Sequence, residues 1–260
     1  MITTRQTIKF SLPARLQPAL AELITAHLPL HEEAPGALAN RVESVYLDTR
    51  DLALYRQAAL DPSQRTLLRL RAYNGRRPVF AEMKQATQGS SSKLRVELAE
   101  ALPRQPVVVQ WGELLRRPAA LPADYQALLA AASAAVELER LTPVLQVRYR
   151  RQAFEAAVSP GLRITLDSHV LMTALCDGGR RGRSYRLPHP IVEVKLQAAP
   201  PAWLAGLLED AALTPLADFC KYAHGVAMLF AAPRGLALPA WASSYMSAPS
   251  PRPASRSAAE

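Results

Sequence analysis

The chain has 260 residues, 49% of them hydrophobic, with 31 Lys and Arg against 22 Asp and Glu, for a formal charge of +9 and a pI near 9.9. That apolar share excludes a disordered chain and suffices for one large β-rich domain or two small ones. No stretch approaches the roughly 20 uncharged apolar residues of a membrane span, and the first residues lack the apolar core of a leader. Cys176 and Cys220 have neither a disulfide framework nor metal-ligand spacing, so a reducing, cytoplasmic setting is expected, with membrane contact only through a partner. The basic balance favours polyanions: nucleic acid, nucleotides, polyphosphate or anionic lipid.

Residues 5–12 alternate, Thr7, Lys9 and Ser11 opposing Ile8, Phe10 and Leu12, which predicts a first strand. Ser11 before Leu12 and Pro13 is a candidate helix cap, and residues 14–28 carry Leu16, Leu20, Leu23, Ile24 and Leu28 at helical spacing, with Pro18 bending or delaying the helix. A loop is expected at 29–40, a strand at 42–49 ending in an Asp48-Thr49 turn, and a short helix at 51–59. A meander of three strands follows, from Arg65 to Tyr73, Val79 to Lys84 and Lys93 to Leu98. It is interrupted by a turn at 74–78 and by a polar connection at 85–92, placed where a phosphate-covering loop would be useful.

Residues 101–123 read as proline-rich and irregular with a short helix near 109–115, and 124–138 as a helix capped by Asp124. Strands are expected at 141–154, 161–167 and 191–196, a basic glycine-rich loop at 177–186, and closing helices at 201–213 and 215–229. From 231 to 260 the composition of Ala, Pro, Ser and Arg without periodicity predicts a disordered tail, leaving 1–230 as the domain.

Because strand side chains alternate between faces, Lys9, Arg65, Arg69, Arg71, Lys84, Lys93, Arg95, Arg151, Arg163 and Lys195 lie on polar faces whose reverse sides are apolar. Two arrangements cover the apolar sides: an open sheet with its charges in water, or a tunnel with helices outside and charges within. The repeated Arg-x-Arg at Arg69 and Arg71, near Tyr73, favours the tunnel, since the guanidinium fork suits phosphate oxygens. Sparse carboxylates among the bases, Glu82, Glu97, Asp167 and Glu193, suit a polyphosphate and its divalent cation; Glu82 and Glu193 equally suit cross-strand ion pairs. Glycine-rich phosphate loops and a Gly-x-Ser-x-Gly elbow are missing from the sequence. His27, His31, His169, His189 and His224 lack ligand spacing and read as surface or core residues, so any nucleophile comes from the substrate.

The pattern resembles the VTC domain, the polyphosphate polymerase branch of the triphosphate tunnel metalloenzymes. The matching pieces are Ile8-Lys9-Phe10, Ser44-Val-Tyr46-Leu-Asp48-Thr49, Arg69-Leu-Arg71-Ala-Tyr73, Phe80-Ala-Glu82-Met-Lys84 and Lys93-Leu-Arg95. They continue, in family order to about residue 230, with Leu141-Thr-Pro143, Tyr149-Arg-Arg151-Gln-Ala-Phe154, Arg163-Ile-Thr-Leu-Asp167, Ile191-Val-Glu193-Val-Lys195 and Phe219-Cys-Lys221-Tyr222-Ala-His-Gly225. The resemblance implies an α+β fold with an eight-stranded antiparallel tunnel and helices outside. It implies that Lys9, Arg69, Arg71, Lys84, Lys93, Arg151, Arg163 and Lys221 bind phosphate, that Glu193 holds Mn²⁺ or Mg²⁺, and that the γ-phosphoryl of ATP passes to a growing polyphosphate. Lys195 and Tyr73 join the expected substrate-binding set and Glu82 the expected metal ligands. The hydrolytic branch opens with Glu-x-Glu-x-Lys, whereas this chain has Arg5-Gln6-Thr7-Ile8-Lys9. Cys220 and Asp218 replace family Ser and Lys, which leaves a non-catalytic polyphosphate or triphosphate sensor as the alternative, ahead of a triphosphate hydrolase.

Overall fold

Period-two alternation dominates the folded chain. The computed structural model describes residues 6–31, 38–61, 63–87, 90–98, 123–155, 161–176, 181–210 and 212–231. The strands are β1 (Gln6–Ser11), β2 (Asn40–Asp48), β3 (Arg65–Tyr73), β4 (Arg76–Thr87), β5 (Ser90–Leu98), β6 (Thr142–Glu155), β7 (Leu162–Leu175), β8 (Arg181–Arg186), β9 (Ile191–Leu196) and β10 (Thr214–Pro215). The helices are α1 (Gln17–Thr25), α2 (Ala53–Leu60), α3 (Ala123–Ser133), α4 (Ala202–Leu208) and α5 (Lys221–Val226), the last continued by a π-type turn at Ala227–Ala231. One antiparallel sheet runs β10-β1-β9-β7-β6-β2-β3-β4-β5, with β8 on the far half of β7.

The architecture is the expected α+β tunnel type, with ten strands among the described residues where eight were expected. Both additional strands fall in segments read otherwise. Residues 181–186, expected as a basic loop, pair with β7, which runs on to Leu175 and so offers a free ladder beyond the end of β9. Thr214 and Pro215, expected at the edge of or inside a helix, pair with Ser11 and Phe10. The closing helix therefore starts at Lys221, after a turn in which Asp218 has φ 52°.

Local signals held unevenly. Pro18 delays α1 to Gln17, after a 3₁₀ turn at Ala14–Leu16. Ser11 is buried in β1 and caps nothing; Pro13 precedes the turn instead. Asp124 lies inside the first turn of α3 rather than before it. The turn after β3 shrinks to Asn74 and Gly75, with φ 54° and 66°, the paired left-handed conformation of a two-residue hairpin. The polar stretch expected as a loop at 85–92 is mostly ladder, since Gln85, Ala86 and Thr87 pair with Ser92, Ser91 and Ser90. The expectations for 101–122 and for the tail beyond 231 lie outside the described residues.

Three apolar clusters hold the sheet in shape. Val45, Leu68, Leu70, Ala81, Met83 and Val96 face outward under Tyr125, Leu128 and Leu129 of α3. Phe154, Ile164, Leu166, Val192 and Val194 face outward under Leu20 and Ile24 of α1 and Leu204 of α4. The third cluster joins the inner faces to α5: Tyr46, Val147, Tyr149 and Met172 pack with Phe219, Tyr222 and Val226. A Cβ on Gly225 would lie 2.7 Å from Leu145 Cδ2, so glycine sets how closely α5 seats on the sheet. Tyr222 donates to buried Asp48, which also accepts the amides of Thr49 (2.7 Å), Leu54 (2.9 Å) and Tyr55 (3.0 Å). One carboxylate thus caps α2 and ties it to α5.

Candidate active site

Apolar packing outside leaves the charged faces turned toward one another around a cavity of about 410 Å³. Eleven bases line it: Lys9, Arg65, Arg69, Arg71, Lys84, Lys93, Arg95, Arg151, Arg163, Lys195 and Lys221. Glu193 is the lone carboxylate among the described lining residues, and Tyr46, Tyr73 and Tyr149 supply rings.

Strand register builds one wall from a row across four strands. Tyr46 opposes Arg69, Arg69 opposes Glu82, and Glu82 opposes Arg95. Glu82 is 2% exposed. Its Oε2 lies 2.6 Å from Arg69 Nε and 3.6 Å from Arg71 Nε, and its Oε1 lies 2.7 Å from Lys93 Nζ and 3.7 Å from Arg95 Nε. Arg69 also donates to Tyr46 Oη (3.1 Å), Arg71 donates to Ser44 Oγ (3.0 Å), and the Arg95 guanidinium lies 3.7 Å from the Phe80 ring centre. Burial alone would raise the Glu82 carboxyl, but Arg69, Arg71 and Lys93 outweigh it and hold the group well below the usual carboxylate range.

The opposite wall repeats the device. Arg151 opposes Asp167 and grips it through two bonds, Nε to Oδ1 at 2.6 Å and Nη2 to Oδ2 at 2.7 Å. Lys221, at the start of α5, donates to Asp167 Oδ2 at 2.6 Å. Asp167 is likewise held well down, burial being overcome by Arg151 and Lys221. Arg151 and Lys221 both lie over Tyr149, at 5.2 and 5.0 Å from its ring centre.

Between the walls, Lys9 opposes Glu193 in register and donates to the Phe219 carbonyl at 2.6 Å. Lys195 Nζ lies 3.7 Å from Glu193 Oε2. Burial works against ionisation of Glu193, yet Lys195, Lys9, Arg151 and Lys221 bring its pKa down to about 2. Lys84 is exposed to the cavity. Lost hydration, with Lys195, Arg69 and Lys9 nearby, brings it down to about 8 against the opposing pull of Glu193.

The structure brings together all the expected site residues except Glu82 as lining groups: Lys9, Arg69, Arg71, Tyr73, Lys84, Lys93, Arg151, Arg163, Glu193, Lys195 and Lys221. Glu82 sits behind the surface, with both oxygens taken by cations. Sequence reasoning missed Ser44, Tyr46 and Tyr149, whose shared strand face with known bases was the available signal. It grouped Asp167 with the carboxylates that suit a divalent cation, whereas both Asp167 oxygens are held by Arg151 and Lys221; His31, read as surface or core, is exposed at the edge of the cavity, placed by a bridge between Leu30 and Phe154. Asp218 is exposed on a turn and is not a cavity residue.

Among the described residues no three His, Cys, Asp or Glu cluster as a ligand set. Glu193 is ionised and faces the cavity, and Thr165, opposite it in register, has a buried hydroxyl with no hydrogen-bond partner among the described residues. That donor set fits a hard cation that shares one carboxylate with substrate phosphates. Glu82 does not fit, because Arg69 and Lys93 lie 2.6 and 2.7 Å from its two oxygens, whereas the salt bridge of Glu193 to Lys195 is 3.7 Å long.

The VTC domain family model matches residues 4–230. The chain is 26% identical to vacuolar transporter chaperone complex subunit 4 of Trypanosoma brucei brucei (strain 927/4 GUTat10.1) over 276 aligned residues, covering 87% of this chain and 34% of that protein. The same-named protein of Trypanosoma cruzi (strain CL Brener) is 27% identical over equal coverage, so the chain spans about a third of the length of both relatives. Among solved structures, a Hippeastrum protein described as a candidate adenylyl cyclase with a dominant triphosphatase activity superposes with a TM-score of 0.47 at 17% identity, covering 90% of this chain and 97% of its own. A Bacillus halodurans candidate adenylate cyclase superposes with a TM-score of 0.42 at 13% identity, covering 78% and 83%.

Proposed function

Because the chain belongs to the VTC domain family, we propose that it is a metal-dependent polyphosphate polymerase that moves the γ-phosphoryl of ATP onto the end of a polyphosphate chain. The observation behind this reading is the cavity inventory: eleven bases around a single lining carboxylate. Such a lining neutralises a row of phosphates, and phosphoryl transfer needs mainly alignment and charge neutralisation.

In the proposed step an oxygen of the polymer's terminal phosphate attacks the γ-phosphorus. The new P–O bond forms as the bond to the β,γ-bridging oxygen breaks, and ADP departs with that oxygen and its negative charge. Arg69, Arg71, Lys93 and Arg95 take the phosphates along one wall, and Arg151 and Lys221 along the other, each group already aimed by Glu82 or Asp167. Lys84, Lys9 and Lys195 line the space between. A divalent cation shared by Glu193 and phosphate oxygens would supply further charge neutralisation. The cytoplasmic setting belongs to the same reading, supported by two free cysteines. Among the described residues no helix is long and apolar enough to cross a membrane.

The test is incubation with ATP and Mn²⁺ or Mg²⁺, with and without a short polyphosphate primer, read by gel for long chains and by assay for ADP. Long chains with equivalent ADP, lost in Glu193→Gln while the variant stays folded at the assay temperature by circular dichroism, are expected. Saturable tripolyphosphate binding without turnover under either metal would move the reading to a sensor, and orthophosphate release from tripolyphosphate would move it to a hydrolase.

A further inference from the structure

Among the described residues, the two outward apolar clusters leave part of the sheet between them without a helix over it. α3 covers the outer faces of β3, β4 and β5, and α1 and α4 cover those of β1, β9 and the adjoining parts of β6 and β7. In between, the outer faces of β2, β6 and β8 carry arginines, with β7 lying between β6 and β8. Arg41 stands opposite Arg150, and Arg148 stands two residues along β6, opposite Leu171, which in turn stands opposite Arg186. Arg41, Arg150 and Arg186 are exposed and Arg148 is half-buried. Each backbone therefore lies about 5–10 Å from the next and the four together span about 16 Å, given strand spacings near 4.8 Å and a two-residue rise near 6.7 Å.

No salt bridge joins any of the four to an acid among the described residues. Glu43, the acid in this row, accepts a bond from Gln146 Nε2 at 2.7 Å instead. Like charges placed directly opposite in a sheet are unfavourable, so the Arg41 and Arg150 pair lowers stability unless an anion joins them.

We propose that this strip is a second polyanion-binding site, outside the tunnel, whose occupant is a linear chain of inorganic polyphosphate. Guanidinium forks suit successive phosphates and need no other chemistry from the ligand. The strip positions hold no aromatic side chain on which a nucleobase could stack. The exposed large hydrophobics, Leu23, Leu38, Leu60 and Leu94, lie at none of them, which disfavours insertion into a lipid surface. The inference takes its polymer from the tunnel reading but not its reaction.

The experiment measures long-chain polyphosphate binding to the full chain in a Lys84→Ala/Arg163→Ala background, which weakens the tunnel. Adding Arg148→Gln/Arg150→Gln is expected to lower affinity roughly tenfold and to reduce the slope of log affinity against log salt by about two. The charge-matched control Arg15→Gln/Arg56→Gln is expected to change affinity less than twofold, and Arg148→Lys/Arg150→Lys to retain most of the binding. In the otherwise wild-type chain the strip substitutions should leave tripolyphosphate binding unchanged and, by relieving the Arg41 and Arg150 repulsion, should not lower the melting temperature. Equal losses from strip and control variants overturn the proposal, as does strip-dependent binding of oligo-dT or of phosphatidylserine vesicles at equal or higher affinity. Failure of the wild-type chain to bind tripolyphosphate refutes the tunnel reading and leaves the strip comparison standing.

Discussion

Replacing Glu82 by Gln removes the counter-charge of four cations while nearly preserving shape. The carboxylate is 2% exposed and lies 2.6 and 2.7 Å from Arg69 and Lys93, with Arg71 and Arg95 at 3.6 and 3.7 Å. Breaking a buried ion pair by deleting one partner costs about 3–5 kcal/mol. Lys93 and Arg95 keep 39% and 35% of their side chains accessible, so water takes over part of their stabilisation and the low end applies. A loss of about 3 kcal/mol lowers the melting temperature of a domain of this size by about 9 °C. Calorimetric melting of Glu82→Gln should show that drop at pH 7. Saturating tripolyphosphate should then raise the melting temperature more in the variant than in wild type, because the anion restores the missing counter-charge. A loss below about 1 kcal/mol, or equal ligand gains in both proteins, would refute the reasoning. Stabilisation of wild type but not the variant by Mn²⁺ alone would instead make Glu82 a metal ligand.

Two pH dependences follow from the shifted groups. Lys84, brought down to about 8, loses its charge as pH rises through that value, so tripolyphosphate affinity should weaken between pH 7 and 9, and Lys84→Arg should flatten the profile in a calorimetric titration. His224 is fully buried and burial takes it down to about 4. The unfolded chain therefore binds the extra proton between pH 6.5 and 4, and stability should fall by up to about 3 kcal/mol as pH drops across that window. Denaturant melts of His224→Phe should lose that slope; an unchanged slope would mean that other groups carry it.

Much of the site was legible because a strand states its own faces. Arg69, Arg71, Lys84, Lys93, Arg151, Arg163, Glu193 and Lys195 recur at every second position, and their apolar neighbours are the residues now buried under α1, α3 and α4. Alternation gives no information on register, however, and register decides what a charged residue does. Glu82 and Glu193 look alike in sequence. Pairing places Glu82 between Arg69 and Arg95, where it is an internal counter-ion, and places Glu193 beside Lys9 on the cavity wall. The same limit hid β8 and β10, whose composition reads as loop and helix because their strand character comes from the unpaired ladders of β7 and β1. The outer arginine strip was hidden for the same reason: Arg41, Arg148, Arg150 and Arg186 are scattered along the chain, and only pairing across four strands puts them side by side. The sequence by itself determined which faces are charged and which apolar, since that depends on the two-residue strand repeat alone. Tertiary structure decided which charges neutralise one another and which stay open to a ligand, since that depends on contacts between residues as far apart as Lys9 and Phe219.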